Sequence, residues 1–324
     1  MYKIQVLMST YNGRNYLREQ LESILGQDCE RMGRGKIEIL IRDDGSTDGT
    51  QNILEDYAYR FSDRITWYQG ENLGVIGSFL DLVKHSDDNA DFYAFSDQDD
   101  VWMPDKISCG VKILDQMPNK MKPNLYCCRP LIVDETLRDL ECGRRYTRMF
   151  AGFGNAMVEN IVVGCTIVMN DYLRNMLLAK MPDTDKIMMH DRWIYQVASC
   201  FGEVFYDEGQ HICYRQHRDN TVGMTVNRGK EFFERVFCFR KKCRAISMQV
   251  TEFYRLYHNF LEEEEGKIFR DSKKVRWNME LLEEYVNNRK SLKTRKKLLK
   301  ENRLYRQRAT DNRFFRFLFL LGCF

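Results

Sequence analysis

The sequence predicts an α/β fold, a mostly parallel sheet covered by helices, with further helices appended at the C-terminal end. Three observations predict it. Short β-branched or aromatic runs alternate with helix-spaced apolar residues over about the first 110 positions, the pattern of strand–helix–strand units. The runs end in polar, glycine-containing turns. From about residue 228 the alternation gives way to charged and apolar residues at helical spacing.

The elements follow in order. Lys3–Met8 is a first strand, closed by the turn residues Asn12-Gly13. Tyr16, Leu17, Leu21, Ile24 and Leu25 recur at helical spacing, and Gly26 is a stop signal. Ile37–Ile41 is a second strand. It ends in Asp43-Asp44-Gly45-Ser46-Thr47-Asp48-Gly49, a turn able to cap the helix whose buried face is Ile53, Leu54, Tyr57 and Phe61. Ile65–Tyr68 is a strand, Ser78–Lys84 a helix and Phe92–Phe95 a fourth strand. Pro104 opens the next helix, since its fixed φ suits a first turn. The apolar runs Tyr126–Val133 and Ile161–Met169 read as strands. A helix follows around His190–Ser199, then short strands at Val204–Tyr206 and Ile212–Arg215. The expected division is a body over 1–225 and a basic helical extension over 226–324.

The chain has 324 residues, 44% hydrophobic and 30% charged, enough for a sizeable core and unlike a disordered composition. The net charge is only +3, but residues 228–324 carry 25 Lys and Arg against 13 Asp and Glu, so the body is acidic. A basic tail on an acidic body suggests an anionic partner. No nucleic-acid recognition motif accompanies it. The eleven cysteines form no CxxC pair, so they read as reduced, mostly buried thiols, and the usual zinc spacings are absent. The N-terminus MYKIQVLMS lacks a charged leader before a long apolar core. No window reaches the ~18–20 apolar residues that span a bilayer. These features lead us to expect a cytoplasmic protein.

Four constellations carry chemistry. In FSDQDDVW, residues 95–102, Asp97, Asp99 and Asp100 follow an apolar strand. Carboxylates this close repel, and a hard divalent cation such as Mg²⁺ or Mn²⁺ relieves them; a solvated loop is the plain alternative. The second, DDGSTDGT, matches several positions of a calcium-binding EF-hand loop, but a strand precedes it where that loop needs a helix. It reads as a strand-to-helix turn, either simply capping or offering a carboxylate to a nucleobase and amides to a phosphate. The third, Met189-His190-Asp191-Arg192-Trp193, opens a helix. Asp191 is either a general base or an acid favouring the helix dipole. The fourth, Tyr214-Arg215-Gln216-His217-Arg218-Asp219-Asn220, suits a diphosphate or a metal, or is a surface loop.

Taken in order, Ser9-Thr10-Tyr11-Asn12, Ile41 to Asp48, Asn72-Leu73-Gly74, Asp97-Gln98-Asp99-Asp100, Gly164-Cys165-Thr166 and His190-Asp191 resemble a family 2 glycosyltransferase with the GT-A, Rossmann-like fold. The resemblance covers about residues 3–222. With HDRW and YRQH, it is most similar to the bacterial rhamnosyltransferase-like branch. It implies that Thr10, Tyr11, Asp43, Asp44, Asn72 and Asp97 border the donor nucleotide. Asp99 and His217 are implied as ligands of Mg²⁺ or Mn²⁺, with Asp100 and His190 in support. Gly164, Cys165 and Trp193 are implied at the acceptor, and Asp191 as the catalytic base. The implied reaction inverts the anomeric carbon, moving a sugar, L-rhamnose from a dTDP or UDP carrier being one candidate, to a hydroxyl of a lipid-linked bacterial surface glycan.

The QxxRW motif of processive synthases is absent, so transfer of one or a few residues is expected. Two other classes compete: a nucleotidyltransferase making the activated sugar, and a non-catalytic carbohydrate- or membrane-binding protein on the same scaffold. For the apolar end from Phe314 onward, the expectations are shallow insertion at the inner face of the cell membrane or packing on the protein.

Overall fold

A computed structural model describes residues 1–140, 149–217, 239–300 and 303–324. They form two compact units that interleave along the chain. The first comprises Met1–Arg148, Val162–Ala179 and Glu203–Met224. The second comprises Met149–Ile161, Lys180–Gly202 and Thr225–Phe324.

The first unit is built on a seven-stranded sheet of order β3-β2-β1-β4-β8-β6-β9. Its strands are β1 (Tyr2–Thr10), β2 (Gly35–Asp43), β3 (Ile65–Gln69), β4 (Phe92–Ser96), β6 (Leu125–Cys128), β8 (Val168–Asn170) and β9 (Val204–Asp207). The first four pair in parallel, as the alternation predicts, and β8 runs antiparallel between β4 and β6. Helices α1 (Leu17–Leu25), α2 (Thr50–Arg60), α3 (Gly74–His85) and α4 (Lys106–Gln116) make the crossovers. Ile4, Val6, Ile39, Ile41, Leu21, Ile24, Ile53 and Leu54 fill the core between sheet and helices. These are the residues the two periodicities select.

A second sheet of order β5-β10-β7 joins β5 (Val101–Trp102), β7 (Leu131–Val133) and β10 (Ile212–Arg215). The run 126–133 is therefore two strands in two sheets, broken at Arg129-Pro130. The run 161–169 corrects a second expectation. Gly164–Thr166 is a 3-10 turn, and only Val168–Asn170 pairs as a strand. Burial alone explains that apolar run, without strand geometry.

In the second unit, α5 (Phe153–Ala156) and, after α6 (Asp171–Ala179) of the first unit, α7 (His190–Phe201) belong with α8 (Phe239–Tyr257), α9 (Lys273–Asn288), α10 (Leu292–Lys300) and α11 (Ala309–Leu320). Trp193, Phe201, Phe253, Tyr257, Phe260 and Phe269 form its aromatic core. None of the described helices is long and apolar enough to cross a membrane.

Candidate active site

Register places the site. Thr10, the last residue of β1, lies opposite Asp43, the last of β2, and Met8 lies opposite Ser96, the last of β4. Three strands thus release their chains at one carboxyl edge, where ligands of open α/β sheets bind. The two acidic turns start there.

Gln98 ties the first and fourth strands together at that edge. Its Oε1 accepts from the Thr10 hydroxyl at 2.6 Å and the Tyr11 amide at 2.8 Å, and its Nε2 donates to the Tyr11 carbonyl at 3.0 Å. A Cβ on residue 13 would lie 2.3 Å from that Oε1, so the clamp needs the glycine found there. Gln98 was not singled out by its sequence; its role needs Thr10 and Tyr11 beside it. The Tyr11 side chain stays about half exposed.

The first two carboxylates of the β2 turn are engaged inside the protein. Asp43 is fully buried and accepts from the Ser46 amide at 3.2 Å, the Ser46 hydroxyl and Gln51 Nε2 at 3.0 Å. Asp44 pairs with buried Arg42 and accepts from the amides of Leu73 and Gly74, at 2.8 and 2.9 Å. Arg42 also reaches Asp81 at 3.0 Å and the Glu71 carbonyl at 2.7 Å. This network fixes the turn before α3, where Asn72 is exposed. The preceding strand bears out the rejection of an EF-hand loop.

The acids after β4 do not form one uniform cluster. Asp97, Asp100 and Cys165 place ligand atoms within 4.8 Å of one another. Asp100 is fully buried, and its Oδ2 has no hydrogen-bond partner. Burial, then the charges of Asp99 and Asp97, pushes its carboxyl well above the usual range. Asp99 faces the other way: its Oδ2 lies 2.7 Å from His217 Nε2. The His217 ring packs at a tilt against Tyr16, centroids 4.9 Å apart.

The crowded carboxylates and the orphaned buried oxygen of Asp100 fit a hard divalent cation of the Mg²⁺ or Mn²⁺ class. Cys165 and Gly164 sit in the 3-10 turn beside them, and burial, then Asp100, raises the Cys165 thiol well above its usual range.

Arg215, read from the sequence as part of a basic loop suited to a diphosphate or a metal, organises the acidic turn instead. It is buried, its amide donates to Asp100 Oδ1 at 3.1 Å, and its Nε donates to the Asp99 carbonyl at 2.8 Å. Its guanidinium also pairs with Glu19 and lies over the Tyr16 ring at 4.7 Å. The second sheet therefore delivers Arg215 and His217 to the acidic turn. Arg218, Asp219 and Asn220 lie outside the described residues.

The proposed base sits in the second unit. Asp191 occupies the first turn of α7 and is 9% exposed. Next to it, Arg192 is buried, and burial, then the charge of Arg306, lowers its guanidinium to about 10. His190 is fully enclosed, and burial lowers its ring to about 3, so it is neutral at physiological pH. Trp193 corrects the expectation of an acceptor contact. Its ring is fully buried, 5.4 Å from Phe253 and 6.4 Å from Tyr257, the packing of a core residue.

Known proteins agree with this architecture. The family model described as glycosyl transferase family 2 matches residues 5–165. A dTDP-rhamnosyl transferase of Shigella flexneri is 28% identical over 258 residues, covering 76% of this chain and 81% of its own. An uncharacterized glycosyltransferase of Rickettsia prowazekii is 27% identical, covering 74% of this chain and 72% of its own. Among solved structures, S. aureus TarS 1–349 in complex with UDP superposes with a TM-score of 0.54 at 14% identity, over 97% of this chain and 89% of its own. The mannosyltransferase PcManGT of Pyrobaculum calidifontis, in complex with GDP-Man and Mn²⁺, gives 0.52 at 15% identity, over 99% and 85%. The fold is GT-A, and the chain belongs to glycosyltransferase family 2.

Proposed function

We propose that this enzyme is a metal-dependent, inverting glycosyltransferase. It transfers a single sugar, L-rhamnose from a dTDP carrier, to a hydroxyl of a lipid-linked bacterial surface glycan. One observation carries the reading: in the turn after β4, at the sheet edge where Thr10 and Asp43 end their strands, Asp97 and Asp100 gather with Cys165 while Asp99 meets His217. The dTDP-rhamnosyl relative supports the choice of donor.

In this reading Thr10, Tyr11, Asp43 and Asn72 border the nucleotide, with half-exposed Tyr11 offering a ring to base or ribose. Asp44 frames that pocket through Arg42. Asp97 faces the donor ribose and sugar, and Asp99 with His217 holds the cation, supported by Asp100. Bound there, a divalent cation offsets the charge that develops on the departing diphosphate. Asp191 takes the proton of the acceptor hydroxyl, whose oxygen attacks the anomeric carbon from the face opposite the diphosphate. Gly164 and Cys165 border the acceptor, and His190 supports Asp191. Residues 1–225 carry this chemistry, and 226–324 serve as a basic extension.

The extension makes a peripheral contact with anionic lipid at the inner face of the membrane. An open cavity of about 820 Å³ in the second unit, lined by Lys186, Arg244, Arg289, Met248 and Phe324, supplies both charge and apolar surface for it.

A panel of nucleotide sugars, each with Mn²⁺ or Mg²⁺, tests the donor site by thermal shift. Stabilisation by dTDP-rhamnose that needs the metal and disappears in Asp99→Ala is expected. Binding that ignores the metal would count against the assignment, and a preference for another nucleotide would replace the donor.

A further inference from the structure

The geometry points to a second metal site in the first unit, where Asp105, Cys109 and His211 hold a structural Zn²⁺-class cation that clips α4 to the strand carrying Arg215. Asp105 and Cys109 lie four residues apart at the start of α4, so their side chains share one face. His211 immediately precedes β10. Trp102 of β5 pairs with Ile212 of β10, and the Met103 amide donates to the His211 carbonyl at 3.0 Å. That register brings His211 to the head of α4.

The distances come close to those of a ligand shell, one edge within its range and one a few tenths of an ångström shorter. Four-coordinate bonds of about 2.0–2.3 Å put ligand atoms roughly 3.3–3.8 Å apart. His211 Nδ1 lies 3.0 Å from Asp105 Oδ2, and Cys109 Sγ lies 3.7 Å from the same oxygen. All three ligand atoms fall within 4.8 Å of one another. Thiolate, imidazole and carboxylate together select Zn²⁺ over Mg²⁺.

A second observation concerns the far side of the ring. A metal-bound histidine characteristically gives its other N–H to a carboxylate, which fixes its orientation. His211 Nε2 lies 3.4 Å from Asp207 Oδ2. Asp207 is itself held by the Tyr126 hydroxyl at 2.9 Å and the Gly209 amide at 2.8 Å. A Cβ on residue 209 would stand 2.6 Å from His211 Nε2 and 3.1 Å from Asp207 Oδ1. The backbone at Gly209 thus makes room for the pair. Asp28 adds a further carboxylate near Cys109, and its Oδ1 is buried without a hydrogen-bond partner. The alternative is a His211 ring held between the carboxylates of Asp105 and Asp207, with no metal.

The test uses the full chain, stripped with a chelator and titrated with Co²⁺ in excess Mg²⁺, then with Zn²⁺. One equivalent of Co²⁺ should give a thiolate-to-cobalt charge-transfer band with the visible bands of a four-coordinate ion, and Zn²⁺ should abolish both. Cys109→Ser should lose the charge-transfer band, and Cys165→Ser should keep it. Asp207→Asn should keep the band and weaken binding about tenfold to a hundredfold. No thiolate band in the wild type, a band that survives in Cys109→Ser, or one that vanishes in Cys165→Ser overturns the proposal. The wild-type spectrum and Asp207→Asn decide it even if Cys109→Ser fails to fold.

Discussion

His217 Nε2 lies 2.7 Å from Asp99 Oδ2, across 118 positions of sequence. The contact joins the second sheet to the turn that ends β4. Replacing His217 with Ala should weaken Mn²⁺-dependent binding of the nucleotide sugar by at least about tenfold, the scale seen when the support of a metal site is removed. A Mn²⁺ titration at fixed dTDP-rhamnose, followed by thermal shift, reads it. An unchanged titration would show that His217 only packs on Tyr16.

Arg42 and Asp44 form a buried ion pair, with side chains 2% and 4% exposed. Removing one partner strands the other charge, which costs about 3–5 kcal/mol. Arg42→Ala should therefore lower unfolding free energy by that amount in urea denaturation. Asp44→Ala should cost less on the charge, since Arg42 keeps Asp81 at 3.0 Å, though it also frees the amides of Leu73 and Gly74. Losses under about 1 kcal/mol would mean water or another side chain takes over the pairing.

Asp191→Asn should reduce kcat by roughly 10²–10⁴ while leaving KM for the donor within a few fold, because a general base acts in the transition state and not in donor binding. Steady-state kinetics with saturating acceptor separates the two. A rise in donor KM with kcat preserved would assign Asp191 to binding.

His190 gives a pH signature. Its folded-state pKa, lowered by burial to about 3, lies below the ordinary 6.5, so below pH 6.5 the unfolded chain binds a proton that the folded chain refuses. Its contribution to stability is complete above 6.5 and is lost as pH falls towards 3. The slope approaches 1.4 kcal/mol per pH unit, about the value of one proton. His190→Gln should flatten the difference in stability between pH 6.5 and pH 4.5. Parallel curves for both proteins would place His190 in a solvated site.

The C-terminal helix divides its aromatic residues. Phe315 and Phe319 are buried, Phe319 lying 5.9 Å from Tyr285, while Phe314, Phe317 and Leu321 are exposed. Truncation would uncover the core, so point changes are the cleaner probe. Phe314→Ser with Phe317→Ser and Leu321→Ser should lower sedimentation with anionic liposomes several-fold and leave thermal stability nearly unchanged. Equal sedimentation would leave the helix a purely internal role.

The strands β1 to β4, their helices and the acidic turns were legible in the sequence because each rests on short-range physics: the two side-chain periodicities, turn residues and burial of one face. Those same regularities set Asp97, Asp99 and Asp191 at a strand end and a helix start. The failures came where local pattern and long-range packing part. Residues 161–169 are apolar because they are buried, though only the last few pair as a strand. Trp193 stands only two positions from Asp191 in sequence, yet those two positions around a helix turn it into an aromatic core.

The sequence by itself determined the fold class, the family and the carboxyl edge where the acids gather. Only the tertiary structure decided their partners: His217 for Asp99, Arg215 for Asp100, Arg42 for Asp44. It also grouped Asp105, Cys109 and His211, which no cysteine spacing announces. Strand register and side-chain packing join residues far apart in the chain, and neither is written in any short window of it.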